Sequence, residues 1–543
     1  MTEPHARFTR DAALASLSRE SFDLLVIGGG ITGAGVALDA ASRGLKTALV
    51  GRTDFASGTS SKSSKMVHGG LRYLQQGEFQ LVYEALAQRQ RLLHNAPHLV
   101  HELPFMIPIM QKGGVMPRRI ARILGLAMWQ YDLTGGWRIG KRHKRLSTAE
   151  ALELMPTLRE DHLASAYLYY DAKGDDARIT LCIARTAAIS YGATMLNYAD
   201  VTGFAHDDDG HVCAAQITTD DSVLTVQASV IVNATGVWSD ETRTLDEGVD
   251  PETIRPAKGV HCTVRSELIQ NAVAVVLPVP GDKRSVFVVP WGSVTYIGTT
   301  DTDYEGDIDN PVCTAEEVDY LLSAVNNATG AGLSSKDVLG TWAGLRPLVK
   351  SAPGGRTADL SRGHKVETSE SGLISINGGK LTTYRHMAAD TVNLVMSRLG
   401  KSGRSHTKNL RLLGATDEPA PSDTWGKHLH GRYGSESTAV LSLIAEDPTL
   451  AQPLVDGLDY IRAEALYAIR HEMAHCVADV LDRRTRARLW DRAGASHAAA
   501  DVAGMLAAEL SWTATQEKQA IDDYTAELDN ERAAATSETD LVS

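Results

Sequence analysis

Gly28, Gly30 and Gly33 follow the apolar run Asp23-Leu24-Leu25-Val26-Ile27 at the G-x-G-x-x-G spacing of a dinucleotide-binding turn. In such a turn the first glycine permits the tight bend, the second lets backbone approach a pyrophosphate, and the third lets the next helix pack on the strand. The diphosphate then rests on unpaired N–H groups at the positive end of that helix, which makes Gly28, Gly29, Gly30, Ile31, Thr32 and Gly33 the candidate cradle. A second chemical pattern lies far downstream. His471-Glu472-Met473-Ala474-His475 is a literal H-E-x-x-H, which on one helix face would hold a zinc ion beside a general base and make the protein a zinc metallohydrolase. Leu466, Ile469, Met473, Cys476 and Val480 form an apolar stripe through the same stretch, and Asp479, Asp482, Arg483, Arg484, Arg486 and Arg488 are nearby partners. The expectation here is a packed helix without metal.

The elements that must position the cradle are legible around it. Asp23 to Ile27 reads as a buried parallel strand, the Ala-rich stretch from Ala34 to Ala41 as a helix stopped by Gly44, and Lys46 to Val50 as the next strand. That strand ordinarily ends in an acidic residue for a ribose hydroxyl. Gly51 stands there instead, followed by Arg52, and Asp54 is the substitute expected to reach the ribose. Next comes the hydroxyl-rich Ser57-Gly58-Thr59-Ser60-Ser61-Lys62-Ser63-Ser64-Lys65, one βαβ unit beyond the cradle, where hydroxyls would meet phosphate and ring edges. Val230 to Gly236 is a β-branched strand closing on a second glycine turn.

Elsewhere, Glu78 to Leu93 predicts a helix, with the chain broken at Pro97, Pro104 and Pro108. Asp175 and Asp176 are placed to cap a helix from Ile179 to Tyr191, and residues 314 to 328 predict another. Short alternating strands from Val260 to Thr300 predict an antiparallel cap sheet. Residues 402 to 424 read as a linker, the chain beyond as helical, and residues from 531 as a frayed tail.

Composition narrows the class. At 543 residues with 43% hydrophobic and 22% charged, the chain can build two or three globular domains. Its net charge of −13 argues against nucleic acid as a partner. Five scattered cysteines without a C-x-x-C pair suit reduced thiols in a cytoplasm better than disulfides or zinc. Residues 1 to 20 carry no apolar h-region, and no run of 18 apolar residues follows, so any membrane contact would be peripheral. The segment 117–145, with Ile120, Ile123, Leu124 and Trp129 beside Arg118, Arg119 and Arg122, has the pattern of a basic interfacial helix; a core-packed helix is the equal alternative.

The glycine turn, the Ser-rich run and His68-Gly69-Gly70-Leu71-Arg72-Tyr73-Leu74, in that order and spacing, resemble the FAD-dependent glycerol-3-phosphate dehydrogenase family. Gly344-Leu345-Arg346-Pro347-Leu348 and Ser375 to Arg385 extend the resemblance over roughly residues 22 to 395. It implies an α/β fold: a Rossmann-like FAD-binding domain (21–400) with an interleaved antiparallel β substrate cap (mainly 75–145 and 255–340) and a C-terminal all-α domain (425–530). FAD would be held by the cradle and by Arg52, Thr59, Ser60, Ser61, Ser64, Lys65, His68, Gly69, Gly70, Leu71, Val201, Ala234, Gly236, Gly379, Lys380, Leu381 and Thr382. The implied substrate is sn-glycerol 3-phosphate, oxidised at C2, with Arg72, Tyr73, Arg346, Arg362 and Lys380 gripping its phosphate. His68 and His261 are the candidate bases, and Arg346 and Lys380 could steady the developing alkoxide. A quinone acceptor, a homodimer and a place at the cytoplasmic membrane face complete the implication; an oxidase using dioxygen, or an amine oxidase sharing the fold, is the rival within enzymes.

Overall fold

The computed structural model describes residues 7–70, 79–110, 129, 141–220, 222–282, 284–350, 363–423 and 425–536. The run Phe22–Ile27 is apolar at consecutive positions because both its faces are covered, and Leu24, Leu25 and Val26 are fully buried. It lies at the middle of an eight-stranded sheet, between Thr47–Val50 and Val223–Asn233, with Thr194–Leu196, Ile374–Gly378 and His364–Thr368 outside them. Ile27 pairs in register with Val50 on one side and Asn233 on the other, so three parallel strands end at one level. That shared carboxyl edge is where open parallel sheets bind ligands. Helices Ile31–Ser42, Asp176–Tyr191 and Tyr384–Arg398 cover one face through a common core that includes Ala37, Ile183 and Val392.

A ten-stranded, mainly antiparallel sheet stands across from this edge. Its long strands are Val100–Met110, Leu163–Gly174, Ile254–Arg265 and Val338–Val349, so it draws on 163–174 as well as the expected segments and runs to Val349. Pro104 and Pro108, expected to break the chain, lie inside Val100–Met110. Being four residues apart, their missing N–H groups fall on the same edge of the strand, and the antiparallel register with Leu163–Gly174 continues from Val100 to Met110 with one irregularity at its end. Of the expected basic amphipathic segment, residues 117–128 and 130–140 lie outside the described residues. Trp129 is exposed and edge-on to His143, and Lys144–Leu146 is a strand.

The C-terminal helices, from Gly426–Tyr433 to Ala514–Ala535, form their own core around Ala468, Val480, Val502 and Leu528. The tract expected as a linker is docked: Leu412 is buried in the first core and its N–H donates to Asn95 O, while Thr407 Oγ1 donates to Asp39. The last helix, Ala514–Ala535, takes in the first residues of the stretch expected to fray. Glu531 is buried within the last helix, accepting from Thr341 and ion-pairing with Arg488 and Arg492.

The H-E-x-x-H stretch is not one helix face. The helix Arg462–His471 stops at its first histidine, and Met473 takes a left-handed φ of 53°. Glu472 is fully buried at 2.7 Å from Arg178, and His475 faces Asp220 at 3.5 Å. The acid a zinc protease would need as its base is consumed by a guanidinium from another domain, which removes the metallohydrolase reading.

Candidate active site

A cavity of about 1920 Å³ opens at the shared carboxyl edge and is walled on the far side by the second sheet. At the nucleotide end, Gly28 adopts φ +119°, and a Cβ there would stand 2.5 Å from Ala234 O, so the two glycine turns touch. A Cβ on Gly33 would stand 2.0 Å from Gly28 O; this third glycine is out of the cavity and acts through helix–strand contact. Gly30 caps the helix without a side chain, and Ser60 Oγ accepts the Ile31 N–H at 2.9 Å. The Ser-rich run is thereby folded back over the cradle. Thr59 donates to Leu345 O, which ties that run to the neighbour of Arg346.

Most expected cofactor residues converge. Gly28 to Thr32, Arg52, Thr59, Ser60, Ser61 and Ser64 line the cavity, as do His68, Gly70, Val201, Ala234, Gly236 and the turn from Gly379 to Thr382. Arg52 pairs with Asp309 at 2.6 Å and lies over the Trp238 ring, two neighbours the spacing argument did not find. Leu71, Arg72, Tyr73 and Arg362 lie outside the described residues.

Two expectations are corrected, Asp54 and Lys65, and Gly69 has a protein partner. Asp54 borders the cavity but its carboxylate is already taken: it is 2% exposed, receives Arg483 Nε at 2.7 Å, and is gripped bidentately by Arg484 at 2.6 and 2.9 Å. Desolvation alone would raise its pKa, but those guanidinium charges outweigh it and lower the value to about 2. Lys65 adopts φ +54°, which turns its side chain inward to Asp176 Oδ1 at 3.3 Å and over Trp342. Burial lowers its pKa to about 8. Gly69 donates its N–H to Asp171 Oδ1 at 3.3 Å, a structural bond of the loop.

The reactive end is built by strand register. His261 pairs with Trp342 and Ala257 with Arg346 on adjacent antiparallel strands, so His261, Gly259 and Arg346 present to one face. A Cβ on Gly259 would meet Arg346 Nη2 at 2.6 Å, so the guanidinium lies across this glycine. Asp301 accepts from Arg346 Nη1 at 3.0 Å. His261 stacks on Trp342 at 4.6 Å, its Nε2 is 3.0 Å from Ser64 Oγ, and its Nδ1 is buried with no hydrogen-bond partner among the described residues. Burial first, then Lys65 and Arg346, push its pKa well below the ordinary imidazole value, so His261 is held neutral. Lys380 precedes the Leu381–Thr383 turn that leads into helix Tyr384–Arg398. Trp342 and Asp301 carry no motif of their own; strand pairing with His261 reveals the first, and the ion pair with Arg346 reveals the second.

These residues fit a bound dinucleotide with a small anion beside it. The abutting glycine turns leave room that a Cβ would fill, and the buried polar atom His261 Nδ1 awaits a partner at the other end. Comparisons agree with this division. The profile of the FAD dependent oxidoreductase family matches residues 23–385, and that of the C-terminal domain of alpha-glycerophosphate oxidase matches residues 405–517. Glycerol-3-phosphate dehydrogenase 2 of Mycobacterium tuberculosis is 39% identical over 538 residues, covering 96% of this chain and 90% of its own. The mitochondrial glycerol-3-phosphate dehydrogenase of Bos taurus is 36% identical over 549 residues, covering 95% of this chain and 74% of its own. The crystal structure of glycerol-3-phosphate dehydrogenase from Bacillus halodurans complexed with FAD superposes with a TM-score of 0.77 at 32% identity, covering 97% of each chain.

Proposed function

This chain belongs to the FAD-dependent glycerol-3-phosphate dehydrogenase family, and on that premise we propose how its residues carry out the oxidation of sn-glycerol 3-phosphate to dihydroxyacetone phosphate. The observation that carries the proposal is the single cavity joining the glycine cradle to the His261–Arg346 face. FAD, when bound, supplies the hydride acceptor for C2. The chain's own tasks are to grip a dianion, orient C2 and relieve it of a hydroxyl proton. Arg346, fixed by Asp301 and by the room over Gly259, offers a guanidinium fork to the phosphate or to the alkoxide forming at C2. Lys380 and, by the sequence argument, Arg72, Tyr73 and Arg362 add to that grip. His261 is a poor resting place for a proton between two cations, so it serves as a neutral hydrogen-bond partner through Nδ1. His68, half-buried on the same cavity, is assigned the proton.

Electrons leave to a quinone in this reading, from a chain resting on the cytoplasmic membrane face as a homodimer. Among the described residues no helix is long and apolar enough to cross a membrane. The deciding experiment is a visible spectrum of the purified protein before and after anaerobic glycerol 3-phosphate, followed by turnover with a soluble quinone. Bleaching of the flavin band and quinone-dependent turnover are expected. Stoichiometric hydrogen peroxide in air would instead mark an oxidase, and an unchanged spectrum would remove the substrate.

Gly33→Ala tests the cradle without touching the cavity. The new methyl overlaps Gly28 O, and overpacking of this kind costs about 1–3 kcal/mol. Expressed as cofactor affinity, that is about five- to 150-fold. Flavin absorbance per protein should fall accordingly on dialysis, and full retention would count against the cradle.

A further inference from the structure

Outside the cavity, four ligand-type side chains from three elements converge. His364 opens the strand His364–Thr368, His386 and Asp390 stand one turn apart on helix Tyr384–Arg398, and Glu84 reaches them from helix Phe79–Asn95. None of the four lines the cavity, and the reaction uses none of them. His364 Nε2 lies 2.9 Å and His386 Nε2 3.6 Å from Asp390 Oδ2, and the ligand atoms of these three residues fall within 4.8 Å of one another. The two imidazole rings stand edge-to-face rather than stacked.

We propose that His364, His386 and Asp390 form a binding site for a divalent transition metal of the zinc class, with Glu84 orienting His386. Glu84 Oε1 holds His386 Nδ1 at 2.5 Å, which leaves Nε2 turned toward Asp390. A carboxylate on the far nitrogen is the usual support of a metal-bound imidazole, fixing its tautomer and raising its basicity. Two imidazole nitrogens and one carboxylate are a zinc donor set, with water as fourth ligand; magnesium and calcium prefer oxygen alone. Tetrahedral zinc with bonds of about 2.05 Å sets its ligands ~3.3 Å apart, so the observed spacings close by side-chain rotation. All four side chains are partly exposed, between 17% and 40%, so an ion can enter from solvent. Bound there, it would link the strand, the helix that follows the Lys380 turn, and the helix Phe79–Asn95.

The test uses the full flavin-loaded chain, stripped with a chelator and titrated with zinc ion against a colorimetric zinc indicator, with thermal melts in parallel. The wild type is expected to take up one zinc that His364→Ala and His386→Ala each lose, with at least tenfold weaker binding. Glu84→Gln, which removes no ligand, should weaken binding about 10–100-fold. Zinc should raise the melting temperature of the wild type and not of the two histidine variants. Should either histidine variant lose its flavin, Asp390→Asn carries the same comparison. Identical titrations of wild type and variants, or a wild-type preference for magnesium, would leave these residues an ion-pair cluster only and overturn the proposal.

Discussion

Arg346→Ala should lower kcat/KM for glycerol 3-phosphate about thirtyfold to several thousandfold while the flavin spectrum and melting temperature stay near wild type. Loss of one partner from a desolvated, charge-assisted pair costs about 2–5 kcal/mol, and that interval converts to the stated range. The fold should tolerate the change because Arg346 is 27% exposed in its side chain and its strand pairing with Ile254–Arg265 is made by backbone. Asp301 is left behind 10% exposed, near enough to the cavity for water to replace the lost donor. The split between constants assigns the role. A rise in KM alone means a ground-state phosphate grip, whereas an equal fall in kcat and kcat/KM means contact with the alkoxide of the transition state. Near-normal kinetics in both would remove Arg346 from the site.

Asp54→Ala should destabilise the protein by about 3–5 kcal/mol, the scale for stranding one member of a buried ion pair. Arg484 is 1% exposed and takes both Asp54 oxygens; without them its remaining partners are Glu472 O at 2.7 Å and the Glu472 carboxylate at 3.8 Å. Urea unfolding followed by fluorescence would measure the loss, and a change below about 1 kcal/mol would contradict the geometry. The pH dependence identifies the group. Asp54 has a folded-state pKa lowered to about 2, against about 3.9 unfolded. Its contribution is therefore fully present above about pH 4 and lost as pH falls toward about 2. Wild type should show this acid limb, and Asp54→Ala should lack it. Were Asp54 a ribose ligand instead, the variant would keep its stability and lose only flavin affinity.

The contrast between these two residues locates what the sequence could and could not disclose. The cradle was legible because its chemistry is local: Gly28, Gly30 and Gly33 answer to backbone constraints within one turn, and Ser60 reaches Ile31 across only 29 positions. The strands of the first sheet were legible because burial on both faces leaves continuous apolar runs. Asp54 and Lys65 were misjudged because their partners are distant in sequence. Asp54 meets Arg484 across 430 positions, and Lys65 meets Asp176 across 111. The H-E-x-x-H spacing implied a helix that ends at its first histidine, since Glu472 is drawn to Arg178, 294 positions away. Pro104 and Pro108 suggested a break where a strand can carry prolines on a single edge.

Asp54 immediately precedes the serine-rich loop, and the guanidinium groups that hold it, Arg483 and Arg484, come from the far end of the polypeptide. Asp176 and Arg178 are engaged the same way by Arg486 and Glu472. The boundary near residue 400 is thus a seam in the fold but not in its thermodynamics. A fragment ending there would have to keep Asp54 and Arg178 desolvated without their counter-ions and Asp176 with Lys65 alone, and the serine-rich loop would lose its anchor. Shuffling the helical module between homologues should succeed only when the acidic and basic halves of that joint travel together.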